Sequence, residues 1–170
     1  MRLYLVRHAI AEERDSRRWP DDRQRPLTAA GSRRFRRAAK SLVAVIESAG
    51  SVERLLTSPL VRARETASLL HRAGLPQPIE ESVLAPGRTA ARVLAVLRAH
   101  EAQSLVLVGH EPDLGRLLAV CIAGPGAKPS LRFRKGGAAC LSFAGAPRVG
   151  EATLEWLLPP KALRALRKSH

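Results

Sequence analysis

The apolar positions of this chain fall into short continuous runs separated by stretches with helical spacing. Leu3-Tyr4-Leu5-Val6 is the first run, and its continuity predicts a buried strand. From Ala11 to Pro26 the chain is polar and heavily charged, with Pro20-Asp21-Asp22 inside it. That reads as a long loop, and long loops in compact domains are often functional. Thr28 is placed to cap a helix running to about Ala49, with Leu42, Val43, Val45 and Ile46 on its buried face and Gly50 at its end. Arg54 to Thr57 forms a second strand. Ser58-Pro59 opens a second helix, proline being tolerated at an early helical position, and this helix ends near Gly74. Leu75 to Gly87 is rich in proline and reads as loop or edge strand. A third helix spans about Thr89 to Ala99. Ser104 to Val108 is the clearest buried strand. A helix from about Asp113 to Ile122 follows, closed by Gly124-Pro125-Gly126. Strands over about Ala138–Phe143 and Ala152–Leu157, then a short helix after Pro159-Pro160, complete the pattern.

Strands alternating with helices predict an α/β fold with a central, mostly parallel sheet and helices on both faces. At 170 residues the chain suits a single domain over residues 1–170, with no internal repeat and no dividing linker. No apolar run approaches the ~20 residues that span a bilayer. The opening run is too short for a signal-peptide core. Cys121 and Cys140 form neither a disulfide framework nor a metal-ligand spacing. A cytoplasmic protein without membrane contact is the expectation.

Charge complicates this picture. There are 29 Lys and Arg against 15 Asp and Glu, a net charge of +14. Such an excess raises a nucleic-acid role. But 24 of those cations are Arg and five are Lys, amid abundant Ala, as a biased composition would produce. The arginines are also scattered, with Arg33, Arg34, Arg36 and Arg37 on the first helix and Arg132 and Arg134 in a late loop. At 4% aromatic residues the chain has little for bases to stack on, and no recognisable nucleic-acid module. A specific nucleic-acid binder therefore ranks last among the functions weighed, although part of the charge would suit an acidic phosphoprotein.

Open α/β sheets bind ligands at the carboxyl ends of their strands. Three strand ends here carry unusual residues: Arg7-His8, Ser58 with Arg62 just beyond, and His110. Imidazole serves as nucleophile and as proton carrier near neutral pH. Guanidinium groups bind phosphate through paired hydrogen bonds, and helix N-termini add backbone donors. Two imidazoles and several guanidiniums at one sheet edge suit a tetrahedral phosphate. A metal site is the rival reading, but two histidines without a matched set of carboxylates or thiolates make a poor one. Arg62 falls near the strand end, whereas Arg64, two residues on, faces elsewhere.

Leu5-Val6-Arg7-His8-Ala9, then Thr57-Ser58-Pro59-Leu60-Val61-Arg62-Ala63-Arg64-Glu65-Thr66-Ala67, then Val108-Gly109-His110-Glu111-Pro112 occur in that order. Together they resemble the histidine phosphatase superfamily, also called phosphoglycerate mutase-like, with Ala9 where the signature has Gly. Arg25-Pro26-Leu27-Thr28, His110 to Leu114, and Trp156-Leu157-Leu158-Pro159-Pro160 are similar to the small SixA-like branch of phosphohistidine phosphatases. The resemblance implies a phosphoglycerate mutase-like fold and a covalent mechanism. His8 would attack phosphorus. Arg7, Arg62 and His110 would hold the phosphoryl oxygens, and water would release phosphate. It implies no cofactor and no metal, and as partner a protein phosphorylated on histidine.

One departure bears on substrate. Many members carry a Glu after the second helix that protonates an alkoxide leaving group. Here Glu80-Glu81-Ser82-Val83-Leu84 puts Val83 at that position. Glu81 is the candidate acid, with Glu80, or Glu12 and Glu13 in the long loop, as substitutes. An alkoxide is about as poor a leaving group as hydroxide from water of pKa ~15.7 and needs an acid. Imidazole, whose conjugate acid has pKa ~6.5, leaves far more easily. A missing acid thus favours phosphohistidine over small phosphomonoesters, which remain the alternative substrates. A mutase, which needs a lid against water, is disfavoured.

Overall fold

A computed structural model describes residues 1–127, 131 and 133–166; Arg132 lies outside them. One sheet runs through the molecule in the order β3-β2-β4-β1-β5-β6. Its strands are β1 (Arg2–Arg7), β2 (Arg54–Thr57), β3 (Pro78–Glu80), β4 (Ser104–Gly109), β5 (Ala138–Ser142) and β6 (Thr153–Leu158). The helices are α1 (Ala29–Glu47), α2 (Val61–His71), α3 (Ala90–Ala99), α4 (Asp113–Ala123) and α5 (Pro160–Ala165). β1, β2, β3 and β4 pair in parallel; β5 runs antiparallel to both β1 and β6. β5 alone therefore opposes the common direction.

Burial on both faces explains the continuous apolar runs. Tyr4, Val6, Leu55, Val106 and Val108 face one way and meet Phe35, Leu42 and Ile46 of α1, Leu70 of α2 and Leu163 of α5. Leu3, Leu5, Leu56, Leu105 and Leu107 face the other way and meet Leu94 and Leu97 of α3 and Leu114 and Leu118 of α4. A strand sandwiched between helix layers has no polar face, so its sequence does not alternate.

One expectation needs correction. Ser58-Pro59 does not open α2. The Ser58 N–H still donates to the Val108 carbonyl at 3.0 Å, and Leu60 stays extended at φ −71°, ψ 135°. The sheet ladder thus claims Ser58, and Pro59 precedes the helix. Within Leu75–Gly87 the edge strand is present, as expected: Pro78–Glu80 pairs with β2, with proline at its first position where no ladder donor is lost.

The long loop is pinched at its root. Ala11 and Leu27 form an isolated antiparallel bridge, and the Glu12 N–H donates to Pro26 O at 2.9 Å. Immediately beyond, Thr28 caps α1 by accepting from the Gly31 N–H at 2.8 Å, while its own N–H donates to Ile10 O at 3.0 Å. The start of α1 is therefore pressed against the chain two residues after His8. A Cβ on Gly31 would run into the Ile10 carbonyl. Gly31→Ala is expected to cost about 1–3 kcal/mol by overpacking and to lower activity by shifting the segment after His8. Urea denaturation and turnover check this; a variant matching the wild type in both would refute the contact.

Candidate active site

Parallel pairing brings the strand ends together. Arg7 lies opposite Gly109 in the β1–β4 register, so His8 and His110 follow side by side. The His8 N–H continues the ladder by donating to Gly109 O at 3.0 Å. The imidazole centroids are 5.1 Å apart, with the rings inclined at 52°. On the other flank of β4, Thr57 lies opposite Val108, which sets Ser58 next to His110; Ser58 Oγ is 2.8 Å from His110 Nε2. Arg62 lies in the first turn of α2. Its neighbour Thr66 donates to Arg62 O at 2.7 Å and accepts the Ala9 N–H at 3.0 Å, tying that turn to the segment behind His8.

Arg7, His8, Arg62 and His110 all line one cleft of about 420 Å³. Both histidines are buried, and burial is the main reason each pKa is pushed down from 6.5 to about 3. For His8 the Arg62, Arg7 and Lys135 charges add to that; for His110, His8, Arg62 and Arg7 do. Both rings are therefore neutral at neutral pH. His8 Nδ1 lies 2.7 Å from the Ala9 carbonyl oxygen, which can only accept. Nδ1 thus carries the hydrogen and Nε2 keeps its lone pair. Around the cleft, Arg7 Nε, Arg62 Nε and His110 Nδ1 are buried without a protein partner. The His110 nitrogen is a donor in the tautomer whose Nε2 accepts the Ser58 hydroxyl. Three such nitrogens suit the oxygens of a tetrahedral oxyanion. Among the described residues, no group of three or more His, Cys, Asp or Glu could hold a metal.

The arginines are held from behind. Arg7 Nη1 donates to Phe133 O at 2.6 Å, and burial lowers its pKa while Glu111 opposes the shift. Arg62 donates from Nη1 to Asp22 O at 2.8 Å and from Nη2 to Asp22 Oδ2 at 3.0 Å. The other Asp22 oxygen accepts from Arg25 Nε at 2.8 Å, and Arg25 Nη1 donates to Glu12 O at 2.6 Å. One carboxylate therefore bridges two buried guanidiniums. Burial alone would raise the Asp22 pKa, but the Arg25 hydrogen bond and the Arg62, Arg25 and Arg14 charges outweigh it and hold the group ionised.

Glu81 is not brought to the cleft. Its Oε1 lies 2.9 Å from His100 Nε2 and its N–H donates to Thr57 O, so the carboxylate is engaged with the end of α3. Glu80 pairs with Arg64 at 3.3 Å. Glu12 and Glu13 do line the cleft. So do Glu111, whose pKa burial raises, and the cations Arg14, Arg25 and Lys135. Sequence reasoning missed Arg25, Asp22 and Lys135 as site residues. Only the three-residue spacing of Asp22 and Arg25 in the charged loop hinted at the first two.

Comparisons with known proteins bear on the family and the fold. The family model described as histidine phosphatase superfamily (branch 1) matches residues 3–85. An uncharacterised protein of Picosynechococcus sp. (strain ATCC 27264 / PCC 7002 / PR-6) is 39% identical over 173 residues, covering 94% of this chain and 100% of that protein. The protein histidine phosphatase SixA, solved with tungstate, matches at TM-score 0.79 and 27% identity over 96% of this chain and 99% of that one. A phosphohistidine phosphatase SixA candidate of Agrobacterium tumefaciens matches at TM-score 0.71 and 26% identity, over 94% and 97% of the two chains. The six-stranded sheet with its two helix layers is accordingly the phosphoglycerate mutase-like fold expected from the sequence.

Asp22→Ala would strand two buried guanidiniums. Breaking a buried pair costs about 3–5 kcal/mol. Because the Asp22 side chain is 44% exposed, the expected loss is about 1–3 kcal/mol, with weaker vanadate binding. An unchanged urea midpoint and unchanged vanadate affinity would refute the bridge. The histidines predict a pH dependence. Their folded pKa values lie below the unfolded 6.5, so the unfolded chain takes up protons first as pH falls. Their contribution is complete above pH ~6.5 and drains towards pH ~3, at up to about 1.4 kcal/mol per pH unit for each ring. Wild type should lose stability more steeply between pH 7 and 5 than His8→Ala/His110→Ala, and parallel denaturation curves would contradict this.

Proposed function

As the chain belongs to the histidine phosphatase superfamily, in its SixA-like branch, we propose that it removes the phosphoryl group from phosphohistidine on a phosphocarrier or phosphotransfer protein. The observation that carries this reading is the state of His8. Its Nδ1–H is held by the Ala9 carbonyl, its Nε2 lone pair is free at neutral pH, and it shares a cleft with Arg7, Arg62 and His110.

His8 Nε2 attacks phosphorus. The P–N bond to the substrate imidazole breaks, and its electron pair leaves with that ring, which is protonated from solvent. Water then attacks the phosphoenzyme, the P–Nε2 bond breaks, and phosphate departs with His8 restored. Arg7, Arg62 and the His110 ring stabilise the charge on the three equatorial oxygens in both steps. Tungstate, which the similar SixA structure contains, is an oxyanion of the kind such a cleft would hold. The engagement of Glu81 by His100 supports a substrate whose leaving group needs no strong acid. The two buried free thiols, Cys121 and Cys140, fit a reducing compartment such as the cytoplasm.

A second reading has one observation in its favour. Glu111, Glu12 and Glu13 line the cleft, and burial favours the protonated form of Glu111. Such an acid could serve an alkoxide leaving group, and the enzyme would then hydrolyse small phosphomonoesters.

Rates measured side by side on a histidine-phosphorylated phosphotransfer protein and on small phosphomonoesters decide between them. The phosphoprotein is expected to lead in kcat/KM by about a hundredfold or more. A ratio in the other direction would hand the function to the second reading. In either case His8→Ala should lose more than about a hundredfold in rate, together with the acid-labile phosphoenzyme, because the loss of a nucleophile should outweigh the ~10²–10⁴ of general acid–base catalysis. Retention of more than about a hundredth of the rate would exclude His8 as the nucleophile.

A further inference from the structure

Lys135 lines two depressions at once. One is the catalytic cleft; the other is a shallow furrow beside it, bounded by Ile10, Arg34, Phe35, Pro160 and Arg164. The furrow lies between α1 and α5, and Ala9 and Ile10, the two residues after His8, form its near wall. Among the described residues, no carboxylate lines it.

The cations here differ from those on the other rim of the cleft. Arg14, Arg18, Arg25 and Arg62 are all paired with Asp22 or Glu12. Among the described residues, no ion pair involves Arg33, Arg34, Arg36, Arg37 or Lys40 of α1, nor Lys161 or Arg164 of α5. Helix α1 holds no acidic residue before Glu47. The described cations of α1 and α5 are thus without ion-pair partners, whereas Arg14, Arg18 and Arg25 of the long loop are paired. Ile10 is 38% exposed among these cations, and Leu166, just after α5, is 47% exposed.

We infer that the α1–α5 furrow is the docking surface for an acidic face of the protein that carries the phosphohistidine. The inference rests on the function proposed above. A phosphoryl group is a small ligand, so a carrier must gain most of its affinity outside the cleft. The furrow adjoins the cleft through Lys135 and begins at Ala9, the residue after the proposed nucleophile. Its unpaired guanidiniums offer the paired hydrogen bonds that carboxylates accept. Exposed aliphatic carbon amid charge is what a protein interface buries. Nucleic acid is less well served, since the one ring lining the furrow, Phe35, is itself buried in the core and offers bases no stacking platform.

The test compares wild type, Arg34→Glu/Arg164→Glu and Arg34→Lys/Arg164→Lys on two substrates, a histidine-phosphorylated phosphotransfer domain of net negative charge and free phosphohistidine. On the domain, the charge-reversed variant is expected to lose at least about tenfold in kcat/KM, through KM, and most of its salt dependence. The lysine variant should stay within about threefold of wild type. All three should hydrolyse free phosphohistidine equally, which also shows that the variants are folded. If the charge-reversed variant matches wild type on the domain, the docking surface is refuted while the proposed function stands. If wild type shows no preference for the domain over free phosphohistidine or phosphomonoesters, the functional reading falls and the docking surface with it. Duplex DNA binding at about 0.15 M salt that only the charge reversal abolishes would reassign the face to nucleic acid and overturn the inference.

Discussion

Two backbone hydrogen bonds beyond the last regular rungs of the sheet hold the site together. The His8 N–H reaches Gly109 O, and the Ser58 N–H reaches Val108 O, each at 3.0 Å. They carry the parallel ladder one residue past β1 and β2, so that three adjacent strand ends release their side chains at one level. His8, His110 and Ser58 are neighbours for that reason alone. Helix α2 then begins late, because its leading residues are still committed to the sheet, and Arg62 enters on its first turn. The placement of four groups thus follows from strand register, which burial on both faces specifies strongly.

The same burial sets the electrostatics. Two imidazoles buried in a cationic cleft resist protonation, which leaves both rings neutral. Buried guanidiniums need a counter-charge, and Asp22 supplies it to both Arg62 and Arg25 from outside the cleft lining. Behind it, Asp22 aligns the guanidiniums and leaves Arg62 Nε unpartnered. The charges of Arg14 and Arg25 in the long loop are thereby met by Asp22, whereas the described cations of α1 and α5 have no ion-pair partner.

Most of the sheet and the four central residues were legible in the chain because both depend on local signals. Continuous apolar runs mark strands covered on both faces, and the residues just after such runs must lie at the sheet edge. Asp22 and Arg25 carry no periodicity. They are brought in by the pinch of Ala11 against Leu27, a contact between residues far apart in sequence. Pro59 was misread because a serine-proline pair is an equally good helix opening and strand exit, and only the Val108 carbonyl decides between them. Glu81 was misread because its partner, His100, lies on a different element, and nothing along the chain announces that contact.

β1 is the first of the six strands in chain order, yet it lies between β4 and β5. The Gly136 N–H donates to the carbonyls of both Arg7 and His8, and Phe133 O accepts from the Arg7 guanidinium. His8, the proposed nucleophile, is therefore synthesised well before the groups that seat it, which follow β4 in the chain. Until Phe133 arrives Arg7 lacks its anchor, and until Ala138–Ser142 follow the strand bearing His8 lacks a neighbour on one side. A chain cut short after β4 would carry Arg7, His8, Arg62 and His110 without the Phe133 and Gly136 contacts or the β5 strand that frame them.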